Sequence, residues 1–88
     1  MTWSVYLLQC GDGTLYCGIA LDVAARLAQH QAGKGAKYTR GRGPLELVYR
    51  EACGTKAEAL RRERAVKRMS RAGKLQLARS MAGTMDPQ

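Results

Sequence analysis

The chain is poor in the groups that usually build metal cages. It has one histidine, His30, and three cysteines, Cys10, Cys17 and Cys53, with no C-x-x-C pair among them. That set does not make a recognisable zinc site, and the odd count with irregular spacing reads as reduced, partly buried thiols rather than a disulfide framework. Long apolar runs are missing too. Nothing approaches the roughly 18 consecutive apolar residues of a membrane span. The start, Met1-Thr2-Trp3-Ser4, lacks the charged and apolar regions of a secretion signal, so a cytoplasmic location is expected. Acids are scarce as well: seven against fifteen Lys and Arg, for a net charge of +8 and a pI near 9.9. Such an excess points to a polyanionic partner, nucleic acid before membrane, and no protein partner is indicated. No internal repeat is visible in the 88 residues. A chain of this size buries only about 60 to 65% of its unfolded surface, so one domain is expected, over residues 1–82, with 83–88 as a disordered tail. Any site must then lie on a shallow surface or groove.

What is present organises into short elements. Trp3 to Cys10 and Leu15 to Ile19 have β-type composition, and Gly11-Asp12-Gly13 between them signals a hairpin turn. Asp22 to Gln31 reads as a helix, with Val23 and Leu27 four apart and Gly33 as the stop. Gly33 to Pro44 has four Gly and the cations Lys34, Lys37, Arg40 and Arg42 around Tyr38, the composition of a surface loop. Leu45 to Glu51 reads as a third strand. Thr55-Lys-Ala-Glu58 is a capping box opening a long basic helix whose apolar positions are Leu60, Val66 and Met69, and Ser70 caps a last helix through Leu75, Leu77, Ala78 and Met81.

Four polar residues at regular intervals, Tyr6, Tyr16, Arg26 and His30, and the carboxylate Glu63 inside the basic helix are the candidates for chemistry. Arg26 and His30 are four apart and share one face of their helix, where a solvated surface pair is the ordinary alternative. Tyr6 and Tyr16 fall in adjacent strands, where aromatic pairs commonly serve only to stabilise. Gly18, just after Tyr16, marks a bulge or a close backbone approach. Glu63 lies on or beside the apolar seam; it can pair with Lys67 at i+4, or serve as the one protein ligand of a Mg²⁺ ion that keeps its waters and takes substrate phosphate oxygens.

Taken jointly, the spacing resembles a known family. Ser4-Val5-Tyr6 and Tyr16-Cys17-Gly18 resemble the two halves of the motif that names the GIY-YIG nuclease superfamily, with Ser4, Val5 and Cys17 replacing its Gly, Ile and Ile. Arg26 stands ten residues beyond Tyr16, as the family Arg does, and His30 occupies the next turn, where members carry His or Tyr. Gly33-Lys-Gly-Ala-Lys-Tyr-Thr-Arg-Gly and Leu60-Arg-Arg-Glu63-Arg-Ala-Val-Lys67 look like the small standalone bacterial members, and the likeness covers roughly residues 3 to 80.

The resemblance implies an α/β fold of the α+β type, a small three-stranded, mainly antiparallel sheet flanked by helices, with Tyr6, Tyr16, Arg26, His30 and Glu63 converging on one basic face. It implies a metal-dependent endonuclease hydrolysing phosphodiester bonds of DNA, with structure- or single-strand selectivity among its options. Glu63 would hold one Mg²⁺ or Mn²⁺ and Arg26 would clamp the phosphate. The proton acceptor stays open. The family favours Tyr16 with Tyr6 as a positioning group, although only about one free phenol in a thousand is ionised at pH 7, and His30, with an ordinary pKa near 6.5, is the better base on proton chemistry alone. Backbone capture falls to Lys34, Lys37, Tyr38, Arg40, Arg42, Arg62 and Lys67. The competing classes are a nucleic-acid-binding module without catalysis and a basic adaptor for an acidic protein.

Overall fold

A computed structural model describes residues 2–34 and 43–85, with 81–85 described by backbone only. Strands β1 (Trp3–Gln9) and β2 (Leu15–Ala20) are followed by helix α1 (Val23–Gln31), strand β3 (Glu46–Gly54) and helices α2 (Lys56–Lys67) and α3 (Arg71–Met85). The sheet order is β2-β1-β3, and both pairings are antiparallel. The architecture is therefore the α+β type expected from the resemblance.

β1 is central, and its residues Ser4 to Leu8 are all buried. Its sequence carries no clean alternation of apolar and polar residues because both faces of the sheet are covered. Tyr6 and Leu8 pack with Ala20 and Val23 on the α1 side. Val5 and Leu7 pack with Cys17 and Val66 on the other, where Met69 and Leu77 close the layer. A one-residue slip of β1 would exchange these two sets.

The turn signals hold in detail. In the β1–β2 loop, Asp12 Oδ1 accepts from Thr14 N (3.1 Å) and Thr14 Oγ1 (2.7 Å), and Gly13 takes φ +87°, which a side chain resists. Asp22 caps α1 by accepting from Ala25 N (3.0 Å). At the far end Lys34 N donates to Gln29 O (2.9 Å) and Gly33 N to His30 O (3.0 Å), a Schellman closure around Gly33 at φ +77°. Thr55 Oγ1 accepts from Glu58 N (3.2 Å) and Ser70 Oγ from Gly73 N (3.1 Å), starting α2 and α3 where the capping residues predict.

Three details differ from expectation. β3 runs to Gly54 rather than Glu51, because Ala52 and Gly54 pair with Ser4 and Trp3 and Cys53 packs on the core. The buried stripe of α2 is Ala59 and Val66, seven apart, with Leu60 only half-buried. α3 continues through Met85, into the stretch expected to be a tail.

Candidate active site

The α1 face of the sheet collects four of the five candidate residues. Residues 23, 26, 27 and 30 form one i, i+3, i+4, i+7 face, so the helix that packs Val23 and Leu27 onto the sheet brings Arg26 and His30 with them. His30 is thus 2% exposed, not a member of a solvated surface pair. The sequence pattern separates a polar pair from an apolar one, whereas the helical geometry makes them a single stripe.

Tyr6 is 1% exposed, and its Oη lies 2.9 Å from His30 Nε2. The Tyr16 ring meets His30 edge-on at 5.3 Å between centroids and Tyr6 at 6.4 Å. Tyr6 pairs across the sheet with Gly18, while Tyr16 stands opposite Leu8, so the two phenols are diagonal neighbours on one face. Gly18 makes this possible. A Cβ built there would sit 2.6 Å from Tyr6 Oη and 3.1 Å from the Tyr16 ring, so the close approach signalled by that glycine is the passage of Tyr6 over bare backbone.

Burial, opposed by a hydrogen bond from Arg26, pushes the Tyr6 phenol up to about 12, so it keeps its proton at neutral pH. Arg26 can only donate, so Tyr6 Oη accepts from it and has its own O–H to give to His30. Burial, reinforced by the Arg26 charge, holds His30 below its ordinary 6.5 and favours the neutral ring, whose Nε2 accepts from Tyr6 in the Nδ1–H tautomer. A relay Arg26 to Tyr6 to His30 results. Gln29 joins it by accepting from Arg26 Nη1 at 2.9 Å, a partner the sequence signals only by its i+3 position.

Glu63 comes from α2, on the other side of the sheet. Its half-buried carboxylate pairs with Lys67 Nζ at 3.4 Å, as the i+4 spacing predicts. Lys67 lines a groove with Leu15, Tyr16, Cys17 and Lys74, which joins the α2 side of the sheet to Tyr16. The field of Glu63 reaches Cys17 there. Together with burial, the larger cause, it pushes that thiol up to about 11, so Cys17 stays protonated and is no nucleophile at pH 7. No group of three or more His, Cys, Asp or Glu side chains suited to a metal occurs among the described residues. The donor set at this place is one carboxylate.

Of the residues expected to bind nucleic acid, Lys34 is exposed at the end of α1 and Lys67 lies beside Glu63. Arg62 has a structural partner: its Nε contacts Glu51 Oε1 at 3.0 Å, and Tyr49 Oη donates to the same oxygen at 2.6 Å, tying α2 to β3. Lys37, Tyr38, Arg40 and Arg42 lie outside the described residues. No helix among the described residues is long and apolar enough to cross a membrane.

Residues 2–76 match the family described as the GIY-YIG catalytic domain. A UPF0213 protein of Cupriavidus pinatubonensis is 58% identical over 73 residues, spanning 83% of this chain and 81% of that one. Two structures solved by NMR in solution are similar across nearly the whole length. A UPF0213 protein of Bacillus halodurans has 47% identity and a TM-score of 0.57, covering 99% of this chain and 89% of its own. A protein of E. faecalis has 33% identity and a TM-score of 0.63, covering 93% and 88%.

Proposed function

The chain belongs to the GIY-YIG catalytic domain family, a family of nucleases, and from that premise we propose that it is a metal-dependent endonuclease hydrolysing phosphodiester bonds of DNA. The observation that carries this reading is the division of labour within the aromatic cluster. Tyr6 and His30 are buried and hydrogen-bonded to each other, whereas Tyr16, packed on His30, lines an open groove.

That division selects the proton acceptor. In this reading the Tyr6 hydroxyl donates to His30 Nε2, and in the tautomer that accepts it the ring proton is on Nδ1, so His30 has no lone pair to offer a water. Tyr6 holds its proton up to about pH 12. Tyr16 is left as the base: as phenolate it takes a proton from water, whose oxygen bonds to phosphorus while the bond to the leaving sugar oxygen breaks. Tyr6 and His30 act as positioning residues by fixing the wall on which Tyr16 rests.

Arg26, held by Gln29 on one side and Tyr6 on the other, clamps a non-bridging phosphate oxygen with its planar fork. Glu63 is the protein ligand for one Mg²⁺ or Mn²⁺. A single carboxylate suits such an ion, which keeps most of its waters and takes phosphate oxygens as further ligands. When bound, the ion supplies charge neutralisation at the phosphate and at the leaving oxygen. Lys67 pairs with Glu63 through Oε2. A cytoplasmic setting agrees with three free thiols, Cys10, Cys17 and Cys53.

Purified protein incubated with single-stranded, duplex and branched DNA in Mg²⁺ or Mn²⁺ should yield cleavage products that Glu63→Ala abolishes. Equal cutting by the folded variant would sink the assignment of Glu63. Salt-sensitive binding without metal-dependent products would favour a binding module instead.

A further inference from the structure

The groove that holds Tyr16 does not end there. It adjoins a second depression lined by Thr14, Leu15, Arg71 and Lys74, and the two share Leu15 and Lys74. Together they form a channel along the outer edge of β2, from Tyr16 back to the hairpin turn, with α3 as the opposite wall. Arg71 fixes that wall. Its Nη1 donates to Gly13 O at 2.7 Å, bridging 58 positions of sequence to bind the start of α3 to the turn. Lys67, Arg71 and Lys74 bring three cations to the channel, and among the described residues that line the two depressions none is acidic. Lys74 is only partly exposed, yet it is near enough to the Tyr16 end for its charge to act, with those of Glu63 and Lys67, on Cys17.

We propose that this channel carries the substrate strand away from the scissile phosphate, with Lys74 gripping the neighbouring backbone phosphate on the side of the hairpin turn. The inference rests on the nuclease reading, since it states where the strand runs once one phosphate sits at Tyr16. The dimensions agree. Two residues of extended chain separate Tyr16 from Thr14, about 7 Å, which is on the order of the distance between successive phosphates of one DNA strand. Chemistry agrees too, because a lysine is a point charge suited to a phosphate whose orientation need not be fixed. The Thr14 hydroxyl already donates to Asp12, so Lys74 and Arg71 provide the charge. Lys74 is a positioning residue: it sets where the strand lies and takes no part in proton transfer.

The test is equilibrium binding of a labelled DNA oligonucleotide without metal, from about 50 to 200 mM salt, alongside cleavage kinetics in Mg²⁺. Lys74→Met should weaken binding about 5- to 10-fold at 0.1 M salt and reduce the slope of log K against log[salt] by about one contact. In cleavage it should raise KM and leave kcat near wild type, and Lys74→Arg should restore binding. Lys56→Met removes a cation that lies over the Trp3 ring, 5.3 Å from its centroid, at the other end of α2 from Lys67, and should leave the slope unchanged. Lys74→Gln repeats the measurement should the methionine variant fail to fold. An unchanged slope in a folded Lys74 variant overturns the proposal, and so does an equal loss in Lys56→Met. If wild type cleaves but the slope does not change, the channel is wrong and the nuclease reading stands. If the slope falls but wild type never cleaves, the nuclease reading is wrong and the channel stands.

Discussion

The two faces of this sheet bury different chemistry. Under α1 the interior contains a phenol and an imidazole joined by a 2.9 Å hydrogen bond, with a guanidinium and a second phenol beside them. Under α2 and α3 it contains Val5, Leu7, Cys17 and Val66, and its polar groups, Tyr49, Glu51 and Arg62, stand half-buried. A small domain cannot spare much core, because net stability is a narrow margin between large terms. The apolar face supplies hydrophobic burial, while the α1 face gives part of its interior to groups with demanding partners. Substitutions within the sheet should therefore separate by face, affecting chemistry at Tyr16 on one side and stability at Leu7 on the other.

The largest contrast is between Tyr16→Phe and Leu7→Ala. Tyr16→Phe should lower the cleavage rate about 10²- to 10⁴-fold, equivalent to roughly 3 to 5 kcal/mol on the barrier, with a stability change of no more than about 1 kcal/mol. Leu7→Ala, at a position 1% exposed, should cost about 2 to 5 kcal/mol in denaturant unfolding while cleavage per folded molecule holds. The reverse pattern would break the comparison. An intermediate effect belongs to Tyr6→Phe. It removes the O–H that His30 Nε2 receives and the oxygen that Arg26 meets, and should destabilise by about 1 to 3 kcal/mol, measured by urea titration.

The smallest effect is the pH response of His30. Its folded pKa lies below the unfolded 6.5, so the unfolded chain binds more protons between the two values. The stability contribution is complete above pH 6.5 and is lost as pH falls from there toward the folded pKa. Among the described residues Tyr6 and Tyr16 pack against the ring, and the Arg26 charge adds to the effect of burial. Unfolding titrations from pH 7 to pH 5 should show a loss in wild type that is smaller in His30→Gln.

Much of this was legible in the residues. Asp22, Gly33, Thr55 and Ser70 act at helix ends as their types predict, because caps and turns depend on local backbone geometry. Gly18 signalled a close approach, although not that Tyr6 would be the group crossing it. Burial of His30 was harder to see, since a polar residue within an apolar stripe resembles one on a solvated face until its partner on another element is known. The β2 edge channel was invisible for the same reason. Arg71 and Gly13 are 58 positions apart, and no periodicity or capping signal connects them. The residues also left Tyr16, Tyr6 and His30 open as bases; the proposed choice of Tyr16 draws on burial and one hydrogen bond that no sequence pattern displays.

Under the proposed function, Tyr16, on the α1 face, and Glu63, from α2, act as one unit in cleavage. Single-turnover cleavage in Mg²⁺ by wild type, Tyr16→Phe, Glu63→Ala and the double variant tests it most directly. Groups acting on the same transition state lose their effects non-additively, so each single variant should fall at least about 10²-fold and the double variant should be little worse than the weaker single. Losses that multiply in the double variant, or an unchanged rate in Glu63→Ala, would contradict it.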